Sequence, residues 1–79
     1  MNSQEYDVVA LTAEIQAIHK ETQQPIVLRH GQVGTILMDF DGQAYLVDFA
    51  DVRGNTYAME TVSAEKLMQL VYDPLLVNA

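Results

Sequence analysis

Cysteine is absent from this chain. Its absence excludes disulfides and thiolate metal sites and points to a reducing, cytoplasmic compartment. Bases are scarce too: Lys20, Arg29, Arg53 and Lys66 stand against eleven acids, for a formal charge of −7. Phosphate backbones are held by clustered Lys and Arg, and these four are scattered. No unbroken apolar run exceeds four residues, as in Val8 to Leu11, against the ~20 that a membrane helix needs. The amino-terminal "MNSQEYD" has neither a basic start nor an apolar stretch, so no secretion signal is expected.

What the chain does have is apolar content. Hydrophobic residues make up 49% and charged residues 19%, a balance that favours a packed globule over a disordered segment. Its 79 residues allow one domain, 1–79, with a core over about 6–72 and an apolar tail at 73–79. A chain of this size buries only about 60% of the surface its unfolded form exposes, so each core position matters.

The clearest local signal is "HGQVGTILMDFDGQAYLVDF" (30–49). Asp41-Gly42 suits a two-residue type I′ turn, whose central positions both need positive φ. Such a turn fixes the register. Ile36 would face Val47, Met38 would face Tyr45 and Gly34 would face Phe49 on a core side. Leu37 would face Leu46, and Thr35 would face Asp48, on an outer side. Gly31 and Gly34 suit a corner, a bulge or a close backbone approach.

Other segments are shorter. "YDVVALTA" (6–13) reads as a first strand, with Val9 and Leu11 on one face and Val8 and Ala10 on the other. "EIQAIHKETQQPIVLR" (14–29) reads as a long connection that ends in an extended "IVL", since Pro25 disfavours helix just before it. "DVRGN" (51–55) is a turn. "TYAMETV" (56–62) alternates, which places Tyr57 and Met59 inside and Ala58 and Glu60 outside. "SAEKLMQLVY" (63–72) predicts a short helix capped by Ser63 and stopped at Asp73-Pro74. Consecutive hairpins with glycine at the corners predict an all-β fold, a small barrel of four to five antiparallel strands with one short helical turn near the C-terminus. Closure would remove the sheet edges.

"DVVAL", "GQVGTI", "AYLVDF", "TYAMETV" and "AEKL" in this order resemble a bacterial family of small SH3-like barrels catalogued as a domain of unknown function, DUF4926. The resemblance covers residues 6–72. It implies an SH3-like barrel and carries no activity or catalytic residues with it. The first loop, 14–29, is longer than in that pattern, and Leu46 stands outward where a polar residue is expected.

No constellation points to catalysis, and no enzyme activity is expected. Asp39, Asp41, Asp48 and Asp51 crowd one hairpin, but counting from Asp39 puts Gln43, Ala44 and Ala50 at calcium-loop positions 5, 6 and 12. They read better as turn aspartates bonded to their own backbone. His19 and His30 lack metal-ligand spacing. Ser3 sits in an expected mobile tail, Ser63 is spent on a cap, and no G-x-S-x-G elbow or phosphate loop exists. Neither metal nor cofactor is expected.

The informative oddity is apolar residues on the outer side. Leu37, Leu46, Ala44 and Ala58, with Leu75, Leu76 and Val77 of the tail, form a candidate interaction surface. The alternative disposition has loop 14–29 folding Ile15, Ile18, Ile26 and Leu28 over those leucines. The function expected is a non-enzymatic interaction module, a homo-oligomer or a binder of a protein partner. A nucleic-acid-associated barrel using Arg29, His30, Arg53 and Lys66 is the other class; it rests on fold analogy alone.

Overall fold

Residues 3–78 are described by a computed structural model; Met1, Asn2 and Ala79, the outermost positions of the expected domain and tail, lie outside them. In chain order the elements are β1 (Val8–Leu11), β2 (Ile15–Ile18), β3 (Pro25–Leu28), β4 (Val33–Phe40), β5 (Ala44–Ala50), β6 (Thr56–Ser63), a 3₁₀ turn (Ala64–Lys66) and β7 (Leu67–Gln69). The chain is all-β with one short helical turn near the C-terminus. Its strands form a five-stranded antiparallel sheet, ordered β6-β5-β4-β1-β7, and a separate β2-β3 hairpin. The strands therefore do not close into the expected barrel: β6 and β7 remain the two edges of the large sheet.

One face of the large sheet is dry. Val9, Leu11, Ile36, Tyr45, Val47 and Phe49 are buried there. Residues opposite each other on an antiparallel ladder share a side. The pairs Ile15–Leu28 and Ala17–Ile26 therefore aim together, and all four pack against that core. Each fully buried large side chain contributes roughly 1.5–3 kcal/mol. The small hairpin is thus a cap over the inner face.

Segment 14–29 is a paired hairpin, not a loose connection. Its reversal at 19–24 contains no glycine. His19 Nδ1 accepts from the backbone N–H groups of Glu21 (3.2 Å) and Thr22 (3.3 Å), and Gln23 takes the positive φ of 61°. A six-residue turn built on a histidine and a left-handed glutamine carries no familiar turn dipeptide. That is why periodicity misses it.

The chain reverses at Asp41-Gly42 with the expected positive φ, 56° and 70°, but Phe40 pairs with Ala44, so the connection is three residues, 41–43, and not the expected two. Asp39 Oδ1 accepts from the Gly42 N–H at 2.6 Å, and the Gln43 N–H donates to the Phe40 carbonyl at 3.1 Å. The expected pairs Thr35–Asp48 and Ile36–Val47 are present. Beyond them a bulge at Leu37 shifts the ladder by one, so Met38 faces Leu46, Asp39 faces Tyr45 and Phe40 faces Ala44. Met38, expected in the core, is therefore exposed on the outer side. A second bulge places Phe49 opposite Ala58 but Ala50 opposite Thr56, which leaves Tyr57 as the extra residue. Tyr57 packs against the core as expected, but beyond it the expected faces of β6 are inverted: Ala58 and Val62 are core, and Met59 is outside.

The expected helix over 63–72 shrinks to one 3₁₀ turn. Ser63 occupies its cap position but makes no side-chain cap bond. Pairing of Leu67–Gln69 with Leu11–Val9 wins over helical spacing, because it buries Leu67 beside Leu11. Ser3, expected in a mobile tail, is buried.

Candidate interaction surface

The outer face of the large sheet follows from the ladders. Across it run four rows: Met68–Ala10–Val33, Val8–Thr35–Asp48–Met59, Met38–Leu46–Thr61 and Phe40–Ala44–Ser63. Asp48 is the one charged residue among them. Its Oδ1 accepts from the Thr56 hydroxyl at 2.7 Å, so even this carboxylate is engaged within the sheet. Five large apolar side chains stand open on the face: Met68 at 53% exposure, Val33 at 49%, Met38 at 48%, Met59 at 45% and Phe40 at 41%. The small hairpin lies over the opposite, inner face and leaves Val33, Met38, Phe40 and Met68 clear; Met59, on the edge strand β6, stands beside the hairpin's end.

Of the residues expected to form an outer surface, Leu46 and Ala44 lie on this face, both half-buried by their neighbours. Leu37 is the half-buried bulge residue next to it. Ala58 does not belong to it: the Tyr57 bulge turns Ala58 into the core, where it is fully buried. Leu75, Leu76 and Val77 are more than 90% exposed and cover nothing. Sequence reasoning missed Val33, Met38, Phe40, Met59 and Met68. The even spacing of Met38 and Phe40 did place them on one face, but only the bulge decides which one.

Several polar groups elsewhere bond to the backbone. Asp51 Oδ1 accepts from the N–H groups of Arg53 (2.9 Å) and Asn55 (3.0 Å), the turn role expected for it. Ile18, His19, Lys20, Gln23, Met59 and Glu60 line a shallow depression of about 250 Å³. There Glu60 Oε2 accepts from the Ile18 N–H at 3.1 Å, and His19 Nδ1 holds the turn already described. His30 is exposed beside Arg29, in the turn before β4. Arg53 sits in the 51–55 loop and Lys66 in the 3₁₀ turn, so the bases occupy separate connections. Among the described residues, no three His, Asp or Glu side chains are placed to hold one metal ion. No helix there is long and apolar enough to cross a membrane.

Tyr57 fastens the small hairpin to β6. Its carbonyl accepts from the Lys20 N–H at 2.8 Å, and its ring stacks on His19 with centroids 6.4 Å apart. The Gln32 side chain donates through Nε2 to the Tyr57 hydroxyl, while its Oε1 accepts from the Arg29 N–H at 3.0 Å. The bulge that breaks the alternation thus also aims the side chain that joins the two sheets.

These features define a small all-β domain with one capped face and one uncovered, nearly charge-free face. The chain belongs to the family described as Domain of unknown function (DUF4926), whose model matches residues 5–69. The match takes in all seven strands and stops where β7 stops, so segment 70–78 lies beyond it. No curated protein and no solved structure matches the chain.

Proposed function

We propose that the protein is a non-enzymatic interaction module that associates with itself or with a protein partner through the outer face of its large sheet. One observation carries this reading: the face presents Val33, Met38, Phe40, Met59 and Met68 to solvent with Asp48 as its lone charge, on a chain of net charge −7. Depletion of charge and enrichment in Met and aromatics mark the centres of protein interfaces. Methionine's flexible thioether also adapts to a partner's shape.

The remaining acids lie outside these four rows, in turns such as Asp41 and Asp51 or on the other side of the strands, as Asp39 and Glu60 do. Their placement favours a partner, or a second copy, that meets the apolar centre while the charged rim stays hydrated. A nucleic-acid role has no comparable support, because Arg29, Arg53 and Lys66 lie on separate connections.

Sedimentation of the purified protein over a wide concentration range tests the proposal. Wild type is expected to associate. Met38→Glu, an exposed position in the middle of the face, is expected to remain folded by circular dichroism and to sediment as a monomer. Unchanged association in both Met38→Glu and Met59→Glu overturns the assignment of the face. A wild type that stays monomeric removes self-association and leaves a protein partner.

A further inference from the structure

The apolar face and the apolar tail are both uncovered on one chain, and they match. Leu75, Leu76 and Val77 are 94%, 93% and 94% exposed. Leu70 is still held by its own sheet, its N–H donating to the Val8 carbonyl at 2.9 Å, and the exposed stretch begins at Val71. We infer that segment 71–77 of one copy lies across the outer sheet face of a second copy, reciprocally, in a tail-exchanged dimer. The inference rests on the reading of that face as an interaction surface and names its occupant.

Reach is sufficient. The segment leaves β7 at the edge of the large sheet, where Met68 begins the outer rows. Seven extended residues cover at most about 23–25 Å. Five strands at a spacing of about 4.8 Å span roughly 19 Å. One tail can therefore cross a whole neighbouring face.

Direction favours exchange over folding back. The chain bends at Asp73, and Pro74, which fixes its own φ, cannot continue an edge ladder, so Leu75, Leu76 and Val77 stand off the body. The radius of gyration is 13.6 Å, where a compact chain of this length has about 11.6 Å. The longest extent is 54 Å against 29 and 20 Å. The tail projects from the body instead of lying on its own sheet.

Area favours it as well. A stable interface buries about 1,200 Å² in total or more. A twisted sheet of this size offers roughly 400–500 Å², and two such faces touch only in part. Three tail side chains bury roughly 100 Å² apiece and cover a similar area beneath them. Exchanged in both directions, they reach about 1,200 Å². Charge permits the contact too: Asp73, at the root of the segment, is its one charged residue, and "PLLVN" (74–78) meets a face whose one carboxylate is hydrogen-bonded.

Sedimentation and cross-linking test it together, and the cysteine-free chain makes cross-linking clean. Wild type, a chain truncated after Tyr72 and Met38→Glu are compared, with circular dichroism checking that each is folded. Both variants are expected to dimerise about 100-fold more weakly than wild type or not at all. A Leu76→Cys chain mixed with a Met38→Cys chain is expected to give the mixed disulfide. Truncation without effect, while Met38→Glu is monomeric, overturns the exchange and leaves the face as the interface. Association unaffected by either change overturns both readings. A wild type that is always monomeric overturns the exchange. So does a doubly substituted chain that cross-links only within itself.

Discussion

Gly34 shows how little slack the core has. A Cβ at this position would stand 2.5 Å from Val47 Cγ1, 3.0 Å from Phe49 Cδ1 and 3.1 Å from the Asp48 carbonyl oxygen. The first two neighbours are fully buried side chains, and the third is backbone. None can move without disturbing β5. Gly34→Ala is expected to destabilise the protein by about 1–3 kcal/mol through overpacking, read as a lower urea midpoint with an unchanged slope. This position was legible in the sequence, because a glycine between apolar residues of a strand marks close packing or a bulge. The turn roles of Asp39 and Asp51 were legible for a similar reason: the short carboxylate bonds locally in any context that turns.

At the scale of elements, two single residues account for most of what sequence reasoning got wrong. Alternation reads a strand's faces only while the ladder keeps step. The extra residues Leu37 and Tyr57 break step, and each moves every residue beyond it to the other side. Bulges have no required residue type, so nothing in "GTILMDF" or "TYAMETV" announces them. Where the ladder stays regular, as in β1 and through Ile36–Val47, the expected faces stand. The β2–β3 hairpin was hidden by its histidine-built turn, and the expected helix gave way to edge pairing by β7.

Adjacent residues of β6 provide a direct test of that inversion. Ala58→Glu would bury an unpaired carboxylate, at a cost of several kcal/mol against a total stability of roughly 4–12 kcal/mol, and is expected to unfold the protein. Met59→Glu is expected to leave the thermal midpoint nearly unchanged. The opposite ranking in thermal melts would restore the simple alternation. Tyr57→Phe removes the hydroxyl that Gln32 reaches, at about 1 kcal/mol. Amide exchange is expected to speed up in β2 and β3 before it does in β4 and β5.

For the whole molecule the governing quantity is charge. Each copy carries a formal −7, so two copies repel at long range even if their contact surfaces are apolar. Raising ionic strength shortens the screening length from about 10 Å at 0.1 M to about 3 Å at 1 M. Self-association is therefore expected to tighten with added sodium chloride, measured as a falling dissociation constant in sedimentation equilibrium. Binding to a polyphosphate backbone would weaken instead. The class of fold and the sheet's central hairpin came from alternation and turn chemistry. The uncovered face did not, because it emerges only when both bulges and the position of the small hairpin are known together.

Tyr57 also acts on the gene as a frame marker. Its two anchors to the small hairpin and its bond to Gln32 pin Ala58 opposite Phe49, so codons gained or lost between Asp51 and Asn55 only resize a solvent loop. Loss of the Tyr57 codon itself would make Thr56–Ala50 and Ala58–Phe49 consecutive pairs, erasing the bulge together with every one of those anchors. Length variation among descendants of this sequence should therefore collect on one side of that tyrosine and stop at it.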